Sequence, residues 1–167
     1  MKICQVVLLL TLGAGAVLKA QTLPAGMTLP AGTPVSYAHR YETAGDTAVG
    51  VLPLGYNEGI PRLATNQDGL LWTRGRRVPI AGTVNLNHLM VDLGDQPAAE
   101  GDEVIVFGPG DQGEATAQEW ADRLGTISYE IVTRFTGKVP RTYSGVTGAG
   151  SERAVDGRAD GQVAAAH

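Results

Sequence analysis

A chain of 167 residues with 43% hydrophobic and 18% charged side chains can bury one core and is too short for two large domains. Its net charge of -4 argues against nucleic acid or an anionic membrane as the main partner. The single cysteine, Cys4, excludes an internal disulfide and any multi-cysteine metal site, and His39, His88 and His167 show no ligand spacing, so no metal is expected.

Twenty-three glycines and nine prolines favour short strands joined by tight turns. The chain opens on Met1-Lys2 and an apolar run over residues 3–12, with small residues over 14–20. That pattern suits either a secretory signal or a buried first strand, which periodicity alone does not separate. Thr22-Leu23-Pro24-Ala25-Gly26-Met27 is then nearly repeated by Thr28-Leu29-Pro30-Ala31-Gly32-Thr33, a small tandem duplication of a turn. Residues 35–41 alternate as a strand that places Tyr37, His39 and Tyr41 on one face. Residues 47–54 form a buried strand ending at Gly55, followed by a loop at Asn57-Glu58-Gly59 that Pro61 closes. Residues 70–73 and 77–80 are short strands around a turn at Arg74-Gly75-Arg76. Residues 83–93 make a strand pair or one bent strand, and 103–107 a compact apolar strand.

One helix is signalled. Thr116 is an N-cap with Glu119 three residues on, Trp120 and Leu124 lie one turn apart, and Gly125 stops it. Residues 129–135 alternate again as a strand. The chain divides into an entry strand and duplicated turn (1–34), a β domain (35–143) and a disordered tail (144–167) rich in Gly, Ala, Ser and charge. The fold class is mainly β, a small β-barrel or barrel-like sandwich with one short helix.

Several segments together resemble the C-terminal domain of the bacterial alanine racemase family. They are Leu23-Pro24-Ala25-Gly26, Thr33-Pro34-Val35-Ser36-Tyr37, Gly55-Tyr56 with Gly59-Ile60-Pro61-Arg62, and Arg76-Arg77-Val78-Pro79-Ile80. Leu89-Met90-Val91-Asp92-Leu93-Gly94-Asp95, Gly101-Asp102-Glu103-Val104, Gly125-Thr126-Ile127-Ser128-Tyr129-Glu130 and Val139-Pro140-Arg141 follow in order. Each piece alone is weak; eight in sequence over residues 8–143 are specific. The similarity of residues 10–26 to the family's entry strand favours a retained strand and a cytoplasmic chain over a secreted one.

The resemblance implies a missing half. In the family an N-terminal (β/α)₈ barrel bears pyridoxal phosphate on a lysine, and the partner subunit's C-terminal domain closes that site head-to-tail. Racemisation needs an electron sink to acidify the Cα proton and a base on each face of the planar carbanion. By resemblance the lysine serves one face and a tyrosine the other. Lys2, Lys19 and Lys138 stand in no segment similar to the cofactor lysine's motif. The expectation is therefore that the chain does not racemise alanine alone. No cofactor is expected on it by itself, and pyridoxal phosphate only where a separate barrel chain completes the site.

By the same resemblance Tyr37 matches the catalytic tyrosine and Tyr129 the tyrosine that touches the cofactor phosphate. The departures gather on the side that faces the active site. Ala38 stands where the family has glycine, Asn57-Glu58 where it has Ala-Asp, Thr83 where it has arginine, and Leu86-Asn87-His88 where it has Met-Asp-Gln. Each candidate has a plainer alternative. Tyr37 is a proton-transfer residue or a half-buried strand aromatic. His39 either poises Tyr37 or is a solvated strand histidine, and His88 is a site residue or a surface one. Glu58 is a base near Tyr56 or a solvated loop charge. Arg74, Arg76 and Arg77 protect a soluble edge strand. Arg62 and Arg141 bind a carboxylate bidentately or pair with Asp92 or Asp95. Trp72 and Trp120 are core or interface aromatics.

Three functions follow. The first is an accessory or degenerate partner of a racemase barrel, or a homodimer of the domain. The second is a relined β-barrel enzyme, running a cofactor-independent isomerisation or cyclisation of a small apolar substrate through Tyr37, with His39 or His88. The third is a module that holds a small-molecule ligand without turnover. The residues expected to bind a ligand are Tyr56, Leu86, Asn87, Tyr129 and Arg141.

Overall fold

The computed structural model describes residues 8–11, 16–19, 21–22, 28–67, 69–95, 99, 101–135, 139 and 141–144, those before 28 and after 140 by their backbone. The apolar N-terminal run lies partly in strands: β1 (Leu8–Thr11), β2 (Ala16–Lys19) and β3 (Gln21–Thr22). β4 (Pro34–Val35), β5 (Tyr41–Glu42) and β6 (Val49–Leu52) follow. Next come β7 (Leu71–Thr73), β8 (Arg76–Val78), β9 (Leu89–Asp92) and β10 (Glu103–Phe107). Helices α1 (Ala117–Leu124) and α2 (Ser128–Thr133) precede β11 (Arg141–Ser144). The expected tail beyond Ser144 lies outside the described residues.

Two sheets carry the core. One has the order β2-β10-β7-β8 and the other β3-β6-β9; β1 pairs with β11 in parallel, and β4 with β5 as a small ladder. The larger sheets are joined by the chain leaving β8. Ile80 bridges Val91, and the Ala81 N–H donates to the Met90 carbonyl at 2.8 Å, so the two sheets wrap one interior. Among the described residues no closed barrel forms, and the fold is a mainly β, barrel-like sandwich with two short helices. Alternation decides which faces point inward: in β9, Leu89 and Val91 are buried while Met90 and Asp92 are half-buried.

Helix α1 forms where its cap predicts. The Thr116 hydroxyl accepts from the Glu119 N–H at 3.1 Å, and Gly125 ends the helix at φ 70, a left-handed conformation that costs glycine little. Trp120 is fully buried and donates its indole N–H to the Val106 carbonyl at 2.7 Å, tying α1 to β10. Trp72 is half-buried and lies against Gly113.

Three expected strands take other forms. Residues 128–133 are the helix α2, because buried Ile131 and Phe135 lie four apart. Over so short a stretch, strand and helix periods are both satisfied. The Glu130–Arg134 ion pair and the Thr133 hydroxyl's bond to the Tyr129 carbonyl (2.7 Å) follow the helical spacing. Phe107 and Phe135 then meet edge to face at 5.5 Å between ring centres, fixing α2 on β10. Residues 83–88 form a loop, with β9 starting only at Leu89. Residues 35–41 hold a short 3₁₀ turn, Tyr37–His39, between β4 and β5.

β8 is an edge strand, as its charges suggested, and its arginines are engaged. Arg77 reaches the Gly113 carbonyl at 2.8 Å and both carboxylate oxygens of Glu119 on α1, Arg76 donates to the Leu93 carbonyl, and Arg74 pairs with Asp102 at 2.7 Å. Among the described residues no helix is long and apolar enough to cross a membrane.

Candidate functional site

Tyr37 sits on a strained turn, not on a strand. β4 and β5 pair as Pro34 with Glu42 and Val35 with Tyr41, and the intervening residues fold into a short 3₁₀ turn over Tyr37–His39. Ser36, Ala38 and His39 all adopt positive φ (69, 62 and 51). The expected strand fails because those angles break the pleat, so Tyr37 and His39 share no strand face. Each such residue costs on the order of 1 kcal/mol or more. Tyr37 is 73% exposed, and His39 is exposed beside it. Replacing Ala38 by glycine relieves one left-handed residue, at the cost of a more flexible unfolded chain. Ala38→Gly is expected to stabilise the protein by a net ~0.5–1 kcal/mol, read as a raised urea midpoint with unchanged slope.

A second segment locks against the turn. A Cβ on Gly82 (φ 86) would lie 2.3 Å from the Ser36 Cβ, so only glycine admits the contact. The Ser36 hydroxyl donates to the Thr83 carbonyl and the Thr83 hydroxyl to the Tyr37 carbonyl, each at 3.2 Å. Beyond Thr83, Asn85 Nδ2 donates to the Thr83 carbonyl at 3.2 Å and lies 3.2 Å from His88 Nε2. His88 is thus an exposed loop residue with an amide neighbour.

A third segment completes the face. The Tyr56 and Asn57 N–H groups donate to the Asn85 and Leu86 carbonyls, each at 3.0 Å. That approach needs Gly55, whose added Cβ would fall 2.2 Å from the Asn85 carbonyl oxygen. Glu58 fastens the junction: its carboxylate accepts from the Gly55 N–H (2.8 Å), Asn57 Nδ2 (2.9 Å) and Asn87 Nδ2 (3.1 Å). Glu58 is a half-buried tie between two loops, which corrects its reading as a solvated charge. Tyr37, Tyr56, Leu86, Asn87 and His88 are thereby brought onto linked segments, with Tyr56 45% and Leu86 49% exposed.

Asp92 anchors the hairpin from behind. It accepts from the Tyr41 hydroxyl at 2.6 Å, from the Thr47 hydroxyl, and from the Gly94 N–H at 2.8 Å. Burial pushes its carboxyl up, but these hydrogen bonds and the nearby Arg76 charge outweigh that and hold it below the usual carboxylate range. Its partners among the described residues are hydroxyls and an amide, which corrects the expected ion pair with Arg62. Arg62 is exposed at the start of the 3₁₀ turn Arg62–Ala64; Arg141 is placed on β11, its side chain outside the described residues. Tyr129 is 76% exposed on α2, whose end approaches Gly59.

Sequence reasoning gave no structural role to Ser36 and Asn85, and missed the bonds Thr83 and Asp92 make. Only the glycines at 55 and 82, each needed for a close backbone approach, signalled that these segments would meet. Among the described residues no group of His, Cys, Asp or Glu is arranged to hold a metal. The assembled face offers phenols, amides and a carboxylate but no amine, so by itself it does not fit pyridoxal phosphate held as an imine.

A model of the family "Alanine racemase, C-terminal domain" matches residues 18–143. The chain is 57% identical over 115 residues to an alanine racemase of Frankia casuarinae and 54% identical over 114 to one of Thermobifida fusca. Those stretches cover 69% and 68% of this chain but only 30% of each relative. The crystal structure of alanine racemase from a D-cycloserine-producing Streptomyces lavendulae superposes with a TM-score of 0.72 at 40% identity, covering 78% of this chain and 33% of that one. Alanine racemase from Streptomyces coelicolor gives 0.71 at 41% identity, over the same shares. The chain belongs to the alanine racemase C-terminal domain family.

Proposed function

We propose that this chain serves as the C-terminal partner of a racemase barrel carried on another polypeptide, offering it the face built around Tyr37. The observation that carries this is the exposure of Tyr37, Tyr56 and Leu86 (73%, 45% and 49%) on three segments locked together beneath them. Apolar and phenolic groups held rigidly at a surface are what a docking face presents. The matched stretch spans 30% of its relatives' length, the part that corresponds to their C-terminal domain. Pyridoxal phosphate, held by that barrel, would supply the electron sink. This chain supplies a phenol able to hold or pass a proton on one side of the substrate and closes the site against water.

A relined enzyme acting alone needs its acid/base group at the floor of a pocket, and a phenol that is 73% exposed ends no pocket. The test mixes the purified chain with the barrel half of a relative such as the Thermobifida fusca racemase. Association is followed by sedimentation, and D-/L-alanine interconversion by polarimetry with pyridoxal phosphate present. Complex formation with turnover that neither half shows alone is expected. Absence of a complex at tens of micromolar, far weaker than a standard interface gives, would retire the proposal.

A further inference from the structure

The phenol of Tyr37 meets no hydrogen-bond partner among the described residues, so its direction is set by the backbone beneath it. That backbone is unfavourable on both sides. Ser36 (φ 69, ψ 176) occupies a region that is essentially glycine's, and Ala38 and His39 are left-handed. Such a turn persists only when its surroundings over-determine it. The residue that does so here is Thr83, which is 5% exposed. It contacts both sides of the strained peptide: its carbonyl accepts from the Ser36 hydroxyl and its own hydroxyl donates to the Tyr37 carbonyl. The His39 N–H closes the turn on the Ser36 carbonyl at 3.2 Å, and Asn66 Nδ2 holds the Arg40 carbonyl at 2.8 Å.

We infer that Thr83 is a positioning residue for Tyr37, holding the strained Ser36–His39 turn so that the phenol is presented in one direction. The inference rests on the docking role, since only a partner makes that direction matter. Its first test does not depend on it. Thr83→Val keeps the side chain's shape and removes the donor, whereas Thr83→Ser keeps the donor.

Amide hydrogen exchange on the full chain is expected to show the His39 N–H about 10-fold less protected in Thr83→Val, with the β6 and β9 amides unchanged and Thr83→Ser like the parent. Unchanged His39 protection, failure of serine to restore it, or equal loosening of β6 and β9 would each overturn the inference. The last of these would show a merely structural role. A second measurement titrates the variants against the barrel half. Docking weakened by valine and restored by serine supports the inference; docking unaffected by a loosened turn overturns it. If the parent chain does not dock at all, the proposed function fails, and the exchange result still decides whether Thr83 holds Tyr37.

Discussion

With a barrel partner present, Tyr37→Phe is expected to cut racemisation about 100-fold or more while leaving association of the two chains essentially intact. The substitution removes one hydroxyl and keeps the ring. The Tyr37 phenol is exposed, so losing its oxygen leaves no buried group unsatisfied and the fold unaffected. On the proposed reading, what is lost is the atom that holds or accepts a proton. The same oxygen would donate in one direction and accept in the other, so D-to-L and L-to-D rates should fall together. Polarimetry from each enantiomer, with sedimentation of the complex alongside, checks this. Undiminished turnover would show that Tyr37 only fills space; loss of association would make its hydroxyl a contact, not a proton carrier.

Asp92→Asn is expected to cost about 2 kcal/mol at neutral pH, because a carboxylate accepting three hydrogen bonds becomes an amide that can accept fewer. The direction with pH follows from the depressed carboxyl. A folded-state value below the unfolded one means the contribution is fully present above the unfolded carboxyl's ionisation, at about pH 4, and fades as pH falls through the folded value. Urea unfolding curves of parent and variant should therefore differ at pH 7 and converge in acid. A constant gap across that window would assign the loss to packing instead. Tyr41, which donates to Asp92, ends the hairpin that carries Tyr37, so the variant should also loosen the Tyr37 turn.

Much of the scaffold was legible in the sequence because it obeys local rules. The cap at Thr116, the stop at Gly125, the arginine-bearing edge at Arg76 and Arg77, and the compact strand 103–107 each follow from neighbouring residues alone. The failures share a cause. Residues 35–41 and 83–88 alternate like strands, yet they are held by hydrogen bonds to segments tens of residues away. Ser36 is joined to Thr83, and Asn85 and Leu86 to Tyr56 and Asn57. Over residues 129–135, seven positions are too few for the four-residue spacing of Ile131 and Phe135 to outweigh an apparent alternation. The positions of Tyr37 and Tyr56 as site candidates were visible through the family resemblance. Their mutual support through Glu58, Asn85 and Thr83 was not, because it depends on hydrogen bonds that no periodicity encodes.

The joining of turns that begin at Ser36, Gly55 and Gly82 has a kinetic consequence. Contacts between segments so far apart along the chain must wait for large loops to close, and such closures come late and slow a domain's folding. As the polypeptide leaves the ribosome, the Tyr37 turn emerges well before Thr83 and has nothing to hold its unfavourable backbone. The face would therefore mature only after β6 has found β9 and drawn the later loop into place. An incompletely folded chain would present no part of the assembled face.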